Sequence, residues 1–579
     1  MVMKNPHIEA EIERIDDLPL LYGLLKKMGV QKSIDEVIEA HGNWAGVSPG
    51  WVITIWLMHI LSEKNHLMEP LEKWAASHLK ILKRITKQPV QSKDLTDDRL
   101  ALCLKYLSKS ATWYEIEKRL GLHLIRVYDL KTDRIRLDAT LGSVYHNPDY
   151  HDLFKIGKAK NGLYGPQFKL MLGSIDPMGM PVAVDVVPGN KADDPLYVPL
   201  YKRIKGIIGG NGKLIIGDCK MSPLATRATI VVGEDFYLMP LAHAKDEPAL
   251  LDELLAPWSG REAECARIFL PEDLPADGSA PADEEAIAYG FEVERDPHYV
   301  VDGEAVIWTE RLLVIRSKAY VKTMQEGLQN RLHKAEAQLR QLTPPSGRGH
   351  KQFRDEASLR VAMTQIKKKY RVEGLLNCAY ETEVTEKKIR KYKDRPARVE
   401  RSVRFHMQVE RNEEAIAKAL FQAGWRIYAT NADCHTLSLS DAVLAYRDQY
   451  LAENVFRRLH GKFLSITPLY IQRDDHAKGL FHLLTMAARL LALGDFQAQK
   501  ALAEQDRELA GIYDGNDKRS TPTPTMERML KAFDNINLLI VHIAGQFSQA
   551  IVTPLTPVQE DILALLALPA SLYSELPNA

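Results

Sequence analysis

The sequence has few cysteines, and none of them form a metal-binding or redox motif. The five cysteines are far apart in the chain, and no Cys-x-x-Cys occurs. This distribution argues against a zinc knuckle and against a disulfide-stapled secreted fold, and it fits a reducing compartment. An apolar leader is also missing, because the first residues read MVMKNPHIEAEIERIDD. We therefore expect no secretory signal peptide and a cytoplasmic location.

Long apolar runs and a net charge are absent as well. The longest apolar runs, such as Trp51–Leu61, fall well short of the ~20 residues that cross a bilayer, so no membrane partner is expected. Basic and acidic residues each total 76, which gives a net charge of zero. Taken alone, that balance argues against a protein that coats nucleic acid. The hydrophobic content of 45% excludes global disorder.

The pattern of hydrophobicity predicts an α/β fold class with helical regions at both ends. Apolar residues at three-to-four spacing predict helices first, and β-type runs then alternate with helices in the order strand, strand, strand, helix, strand, helix, strand. An acidic and then basic insertion interrupts this mixed-sheet core before the last strand and helices. The predicted parts are a helical N-terminal domain (1–125), the first part of the core (130–245), the insertion (246–432), the second part of the core (433–515) and C-terminal helices (526–579).

Three acidic residues stand out in the core. Asp138 lies inside the β-type run RIRLDATL, where aspartate is disfavoured, and Asp218 ends the apolar run KLIIGDCKM. Glu453 lies on a predicted helix over 438–460. A single buried aspartate is more often structural, but three carboxylates brought together repel one another unless hard cations neutralise them. The pattern therefore predicts metal-assisted phosphoryl chemistry with Mg²⁺.

The predicted helix around Glu453 carries polar groups at helical spacing. Tyr446 and Gln449 precede Glu453 by seven and four residues, while Arg457 and His460 follow it by four and seven. These residues share one helical face, with an acid at its centre and groups around it that can contact phosphate or stack on a base. On this helix alone, a solvated amphipathic face is the simpler interpretation.

Together these segments resemble the bacterial insertion-sequence transposases that carry an Asp-Asp-Glu triad on an RNase H-like fold. The narrower resemblance is to the group with a Tyr-x2-Arg-x3-Glu-x6-Lys signature and a β-rich insertion before the last acid. LDAT (137–140) resembles its first-acid strand, PGNKADD (188–194) a segment after its third strand, and IIGDCKMSP (215–223) the end of its second-acid strand. The helical N-terminus resembles the extra domain of a long-chain branch, which we expect to bind DNA.

Two positions depart from the signature. Gln449 stands where the group has arginine, and His460 stands where it has lysine. In that group the two cations hold phosphates near the transposon end, whereas glutamine is uncharged and histidine is only partly charged near neutral pH. The departures predict weaker binding of DNA ends. The cations expected to compensate for this weaker binding are Arg447, Arg457, Arg458 and Lys462. Together with Tyr446, Gln449 and His460 they form the set of residues expected to contact DNA.

The resemblance implies cut-and-paste transposition with two Mg²⁺ ions, for which Mn²⁺ substitutes. Asp138 would bridge the ions, with Asp218 on one and Glu453 on the other. The implied partners are double-stranded DNA, as terminal inverted repeats and target, and a second copy in a synaptic homodimer near the bacterial nucleoid. Related enzymes hold a flipped base on an aromatic side chain. Trp308 is our first candidate and Trp258 the second, and a core role is the alternative for either.

Alternatives remain open at several points. A non-mobile RNase H-like nuclease or resolvase, and a domesticated DNA-binding relative without catalysis, are the alternative functions. The run 387–404 holds nine basic residues and is interpreted either as a track for DNA phosphate or as a solvated strap. The zero net charge is therefore an average over acidic and basic segments, which predicts binding through localised patches.

Overall fold

The computed structural model describes residues 8–159, 162–241, 247–275, 281–345, 353, 355–390, 396–543 and 546–578. Its N-terminal part is mainly helical, as predicted. A strand that the sequence analysis missed, β1 (Ile8–Arg14), precedes the helices; its sequence IEAEIER alternates with the period of a strand. The helices are α1 (Leu18–Lys27), α2 (Val30–Asp35), α3 (Pro49–Glu63), α4 (Leu71–Ser77), α5 (Leu79–Thr86), α6 (Asp97–Ser108) and α7 (Ser110–Val127).

A ten-stranded mixed sheet forms the centre of the molecule. Alternating or continuous apolar runs form its strands, and helices α8 (Tyr197–Ile208) and α9 (Leu224–Val232) connect three of them. The strands are β2 (Arg134–Ser143), β3 (Lys155–Lys158), β4 (Tyr164–Ile175), β5 (Met180–Pro188), β6 (Leu214–Gly217), β7 (Phe236–Pro240), β8 (Ala266–Ile268), β9 (Ala288–Arg295), β12 (Glu310–Ser317) and β15 (Trp425–Thr430).

The order of the strands determines what lies at the centre of this sheet. β4 pairs antiparallel with both β5 and β2, whereas β2, β6 and β7 run parallel to one another. Beyond β7 the sheet continues antiparallel through β15, β12, β9 and β8. β2, which holds Asp138, therefore lies inside the sheet, and β6, which directly precedes Asp218, is its neighbour.

The predicted insertion contributes to two bodies. Its strands β8, β9, β12 and β15 extend the central sheet, so this part of the insertion is continuous with the core. The remainder packs around a small apolar core of its own. The elements around this small core are α11 (Lys318–Arg340), α12 (Glu356–Tyr370), β13 (Leu376–Ile389), β14 (Arg398–Arg411) and α13 (Glu413–Gln422). The insertion also contains a short helix, α10 (Glu247–Leu255), and a hairpin of β10 (His298–Val301) and β11 (Glu304–Ile307).

The predicted long helix over 438–460 is two helices, α14 (Leu439–Arg447) and α15 (Tyr450–His460). At the junction the backbone N–H of Gln449 donates to Tyr446, three residues earlier, at 3.0 Å. The carbonyl of Ala445, which a continuous helix would use, instead accepts from Nη2 of Arg136 at 2.9 Å. The break thus has a tertiary cause, because a buried side chain from β2 takes the place of a helical hydrogen bond.

The C-terminal part contains helices and strands. Its two predicted helices are present as α17 (Met526–Lys531) and α18 (Pro557–Leu565). The other elements are β16 (Leu509–Ala510), β17 (Ser520–Thr521), β18 (Asn537–Ile543), β19 (Gln546–Val552) and α19 (Ser571–Ser574). The prediction of helices alone misses the sheet in which β18 pairs with β19 on one side and with β1 on the other. The apolar sequence NLLIVHI forms the central strand of that sheet.

Helix α16 (Asp474–Glu504) is long and apolar enough to cross a membrane by length and composition. Its most apolar window, with a mean hydropathy of 1.3, is 89% buried in the fold. The same apolar core includes Trp56 of α3, Phe168 of β4 and Phe481 of α16. α16 is therefore a core helix, against which the N-terminal helices and the central sheet both pack.

Candidate active site

Asp138 and Asp218 lie side by side near the middle of the central sheet. In the parallel pairing of β2 with β6, Leu137 is opposite Gly217. Asp138 directly follows the first of these residues, and Asp218 directly follows the second. Neighbouring strands are about 4.8 Å apart, and residues in register share a face of the sheet. Both aspartates are partly exposed. Their carboxylates therefore lie at the same edge of β6, reachable from solvent.

A buried tyrosine orients the second aspartate. Oη of Tyr197, on α8, donates to Oδ1 of Asp218 at 2.6 Å, and the backbone N–H of Lys220 donates to the same oxygen at 2.9 Å. Burial, followed by the negative charge of Asp218 and that of Asp138, raises the pKa of Tyr197. The phenol therefore stays protonated and keeps donating. No local pattern in the sequence indicates Tyr197 as a site residue, because its link to Asp218 depends on the packing of α8 on the sheet.

Helix α15 is held across β2 by two contacts. Near its start, Nη1 of Arg136 donates to Oε1 of Gln449 over 3.4 Å. At its end, Oγ1 of Thr140 and Nε2 of His460 are 3.1 Å apart. Gln449 and His460, the two residues that depart from the transposase signature, thus both contact β2, the strand that holds Asp138.

Asp138 and Glu453 occupy the middle of the two facing rows. On β2, Asp138 lies between Arg136 and Thr140 on one face, because side chains alternate along a strand. On α15, Glu453 follows the first contact residue by four positions and precedes the last by seven, which is one helical face. Glu453 itself is exposed. The contacts of Gln449 and His460 thus bring the helical face that bears Glu453 beside β2, and Glu453 also lines the neighbouring cleft.

The donor set fits a hard cation in part. Mg²⁺ in proteins takes one or two carboxylates, and water and substrate phosphates complete its shell. Asp138 and Asp218 supply two such carboxylates from adjacent strands. Within the part of the chain that the structure describes, no three histidine, cysteine, aspartate or glutamate side chains are grouped closely enough to hold an ion together. The two aspartates thus suit Mg²⁺, while Glu453 stands in the facing row outside such a group.

A cleft of about 850 Å³ opens beside Glu453, between α14–α15 and the sheet. Tyr446, Arg447 and Gln449 line it together with Glu453. Tyr446 packs edge-on against Tyr428 with ring centroids 4.8 Å apart. Burial, with further contributions from Tyr428 and Asp218, raises the pKa of Tyr446. Tyr446 therefore lines the cleft as a neutral phenol.

The predicted DNA-contacting cations differ in their surroundings. Arg447, Arg457 and Lys462 are exposed and available to a ligand outside the fold. Arg458 points inward, where Nε is 2.9 Å from Oε1 of Glu527 and its guanidinium also binds Asp495. Its charge is used inside the protein, so Arg458 is not part of the exposed cationic set.

The two tryptophans considered for base stacking differ in burial. Nε1 of Trp308 donates to Oη of Tyr237 at 2.7 Å, and the indole is buried. Trp258 is half-buried and stacks on Phe291 with ring centroids 4.4 Å apart. Trp308 therefore has the packing of a core residue, and Trp258 packs at the margin of a small apolar cluster.

Comparisons with known proteins cover the chain unevenly. Residues 10–113 match a family model described as Domain of unknown function (DUF4277), which spans less than half of the chain. No curated protein matches the sequence. Among solved structures, the chain is similar to a piggyBac transposase in its synaptic complex with hairpin DNA, at 10% identity and a TM-score of 0.31. That similarity covers 84% of this chain and 77% of the other.

Proposed function

We propose that this protein is a Mg²⁺-dependent DNA transposase whose catalytic acids are Asp138, Asp218 and Glu453. One observation carries the proposal: Asp138 and Asp218 directly follow Leu137 and Gly217, which are opposite each other on the adjacent parallel strands β2 and β6. Helix α15, which bears Glu453, contacts β2 near both of its ends. The sequence resemblance to insertion-sequence transposases with an Asp-Asp-Glu triad supports the same assignment. Glu453 is exposed and lines the cleft beside α15, so its carboxylate is accessible to a metal ion or to DNA.

The strand order supports an RNase H-like core for this enzyme. Three antiparallel strands (β5, β4 and β2) are followed by two parallel ones (β6 and β7). The first acid is on the central strand and the second follows its parallel neighbour. This is the arrangement that the resemblance leads us to expect, and it leaves the edge with both aspartates open to a DNA backbone.

The chemistry we propose is phosphodiester hydrolysis followed by transesterification. Water attacks phosphorus at the element's end, the P–O3′ bond breaks, and the leaving oxygen takes a proton. The 3′-OH so released then attacks phosphorus in a phosphodiester of target DNA and loses its proton. A new P–O3′ bond joins the two DNAs, the target's own P–O3′ bond breaks, and the leaving oxygen takes a proton. Bound Mg²⁺ would activate the attacking oxygen and stabilise the leaving one. Asp138 and Asp218 would hold the metal through their carboxylates.

The surrounding residues have supporting roles in this proposal. Tyr197 keeps the Asp218 carboxylate in one orientation through its 2.6 Å hydrogen bond. The exposed cations Arg447, Arg457 and Lys462 would bind DNA phosphates beside the acids. We further propose that terminal inverted repeats and target DNA are the partners, that two copies synapse two ends, and that the enzyme acts in the bacterial cytoplasm at the nucleoid.

The test uses purified protein with Mg²⁺ and DNA that carries the segments flanking its coding region. Asp138→Asn, Asp218→Asn and Glu453→Gln are each expected to abolish end cleavage and strand transfer while DNA binding and thermal stability are kept. Asp133→Asn is the matched control, because this exposed aspartate lies just before β2. Cleavage at the normal rate by any one of the three variants would remove that residue from the catalytic set.

The same assay separates the alternative functions. Cleavage by the unaltered protein without joining to target DNA would indicate a non-mobile nuclease. Binding without cleavage would indicate a DNA-binding relative that has lost catalysis.

A further inference from the structure

Strands β13 and β14 form a long two-stranded ribbon. Each has 14 residues, and their antiparallel pairing is continuous from Leu376–Arg411 to Ile389–Arg398. At about 3.4 Å per residue the ribbon is roughly 48 Å long. Among the described strands, β13 and β14 pair only with each other. A structure of this kind has no sheet to support it and must be stabilised by what packs on its faces.

The ribbon has an anchored half and a free-standing half. In the anchored half, Leu376 and Val409 belong to the small apolar core formed with α11 and α12. Phe405 is also buried and meets Tyr380 edge-on at 5.6 Å. Farther out, residues 384–390, 396–399, 401 and 402 are exposed on both faces, apart from the half-buried Ile389. An isolated two-stranded hairpin is only marginally stable in water, so the outer half would be stabilised by a partner.

The outer half is strongly basic. From 386 to 401 the sequence has eight lysines and arginines against three acids, although 391–395 lie outside the described residues. In the register, Glu386 is opposite Arg401, so this acid faces a cation across the ribbon, and Lys387 is opposite residue 400. The next two pairs set Lys388 opposite Val399 and Arg398 opposite Ile389. Positive charge is therefore concentrated towards the end of the ribbon.

This charge favours one class of partner. Two copies of the chain would bring like charges together at the ribbon ends, which opposes self-association through them. The exposed valines of this half, Val384 and Val399, are too few for a stable apolar interface. Duplex DNA supplies a dense row of negative charge, and its major groove, about 12 Å wide, admits a two-stranded β-ribbon.

We propose that the outer half of the β13–β14 ribbon is a second DNA-binding element, which holds duplex DNA outside the catalytic site. The proposal rests on the proposed function for its DNA partner and extends it from the acids to a separate surface. It selects the phosphate-track interpretation of the basic run 387–404 over that of a solvated strap. Since the cations would contact phosphates, binding through the ribbon would depend on salt and little on sequence.

The experiment measures binding of the full chain to a short mixed-sequence duplex over a series of salt concentrations. Asp138→Asn is included in every protein to prevent cleavage. The test variant is Lys387→Gln with Lys388→Gln. The matched control is Lys368→Gln with Lys369→Gln, which removes the same charge from exposed positions on α12 in the same body.

The ribbon variant is expected to bind about tenfold more weakly or worse. Its negative slope of log K against log salt should become shallower by about 0.9 for each phosphate that it no longer neutralises. The α12 control should keep the parent slope. Equal slopes for parent and ribbon variant would overturn the proposal, as would the same weakening in the control. A ribbon variant that changes from dimer to monomer with an unchanged slope would also overturn it, because the ribbon would then bind a second copy.

Cleavage by the unaltered protein separates this proposal from the proposed function. If the unaltered protein cleaves DNA but the parent and the ribbon variant have equal salt slopes, the ribbon proposal alone is wrong. If the slope changes in the ribbon variant but the unaltered protein does not cleave DNA, the ribbon remains a DNA-binding element and the catalytic assignment is wrong.

Discussion

Arg136 and Gln449 are joined across the candidate active site, with Nη1 of the arginine 3.4 Å from Oε1 of the glutamine. Arg136 is fully buried and also binds Asp176 through two contacts of 2.7 Å. A cation is therefore present at this position of the site, but it comes from β2 and serves the protein's own packing. Gln449 accepts from it, which gives the glutamine a structural role that the signature's arginine could not fill.

We expect Gln449→Arg to destabilise the protein, because it would set a second guanidinium against the buried Arg136. The expected loss is about 1–3 kcal/mol in urea unfolding, with no gain in affinity for DNA ends. Gln449→Met is the control, since it removes the amide group, with the acceptor for Arg136, and adds no charge; it should cost about 1 kcal/mol. Tighter end binding by Gln449→Arg at unchanged stability would instead support the sequence-based view that the missing cation weakens binding.

Adjacent arginines on α15 are expected to behave differently. Arg458→Met should lose about 3–5 kcal/mol, because it leaves the carboxylates of Asp495 and Glu527 without their cation in a mostly buried position. Arg457→Gln, at an exposed position, should change stability by less than about 0.5 kcal/mol and weaken DNA binding. Urea unfolding and a binding titration on both variants check this. Equal stability of the two would refute the internal role of Arg458.

Tyr197→Phe should slow cleavage while leaving DNA binding intact. The change removes the 2.6 Å hydrogen bond to Asp218, and a hydrogen bond to a charged group contributes about 1.5–3 kcal/mol. The measurement is the single-turnover cleavage rate over a series of Mg²⁺ concentrations, and a higher Mg²⁺ requirement is expected. Tyr201→Phe is the control, because Tyr201, also on α8, donates to Asp235 instead. The same rate loss in both variants would point to a general disturbance of α8.

The stability of the N-terminal part should depend on pH through Asp17. Asp17 accepts from Oγ of Ser62 at 2.6 Å, and burial raises its pKa to about 7. The folded-state pKa exceeds the unfolded value near 3.9, so protonation of Asp17 favours the folded state. This contribution to the free energy of unfolding is complete below about pH 4 and is lost as pH rises towards 7. Asp17→Asn should therefore gain stability relative to the parent between pH 5 and 7.5, measured by urea unfolding. A constant difference between the two proteins would contradict this.

Local patterns were sufficient to predict strands β2 and β6 and the places of Asp138 and Asp218 relative to them. The alternation in RIRLDATL and the apolar run KLIIGD give β2 and β6 as predicted, because burial of one or both faces of a strand is written into consecutive residues. The mixed α/β class follows from the same patterns. The placement of Asp138 and Asp218 on or after these strands was therefore accessible from the sequence.

Features that depend on distant residues were not accessible. The break between α14 and α15 is coupled to the bond from Arg136 to Ala445, 309 residues apart, and no pattern within 438–460 indicates it. The inward orientation of Arg458 depends on Asp495 and Glu527. Helical periodicity assigns a residue to a face, but only packing decides what that face meets.

The pairing of β1 with β18 has a consequence for synthesis. The backbone N–H of Ile536 donates to Asp16, 520 residues away, and strand β1 just before it has β18 as its partner. At about 5–20 residues per second, the ribosome needs roughly half a minute to two minutes to deliver that partner after β1 is made. During this interval the first strand offers an unsatisfied edge to chaperones and to neighbouring nascent chains. A message cut short before β18 would yield a product that cannot close its first sheet, so assembly of the fold is tied to completion of translation.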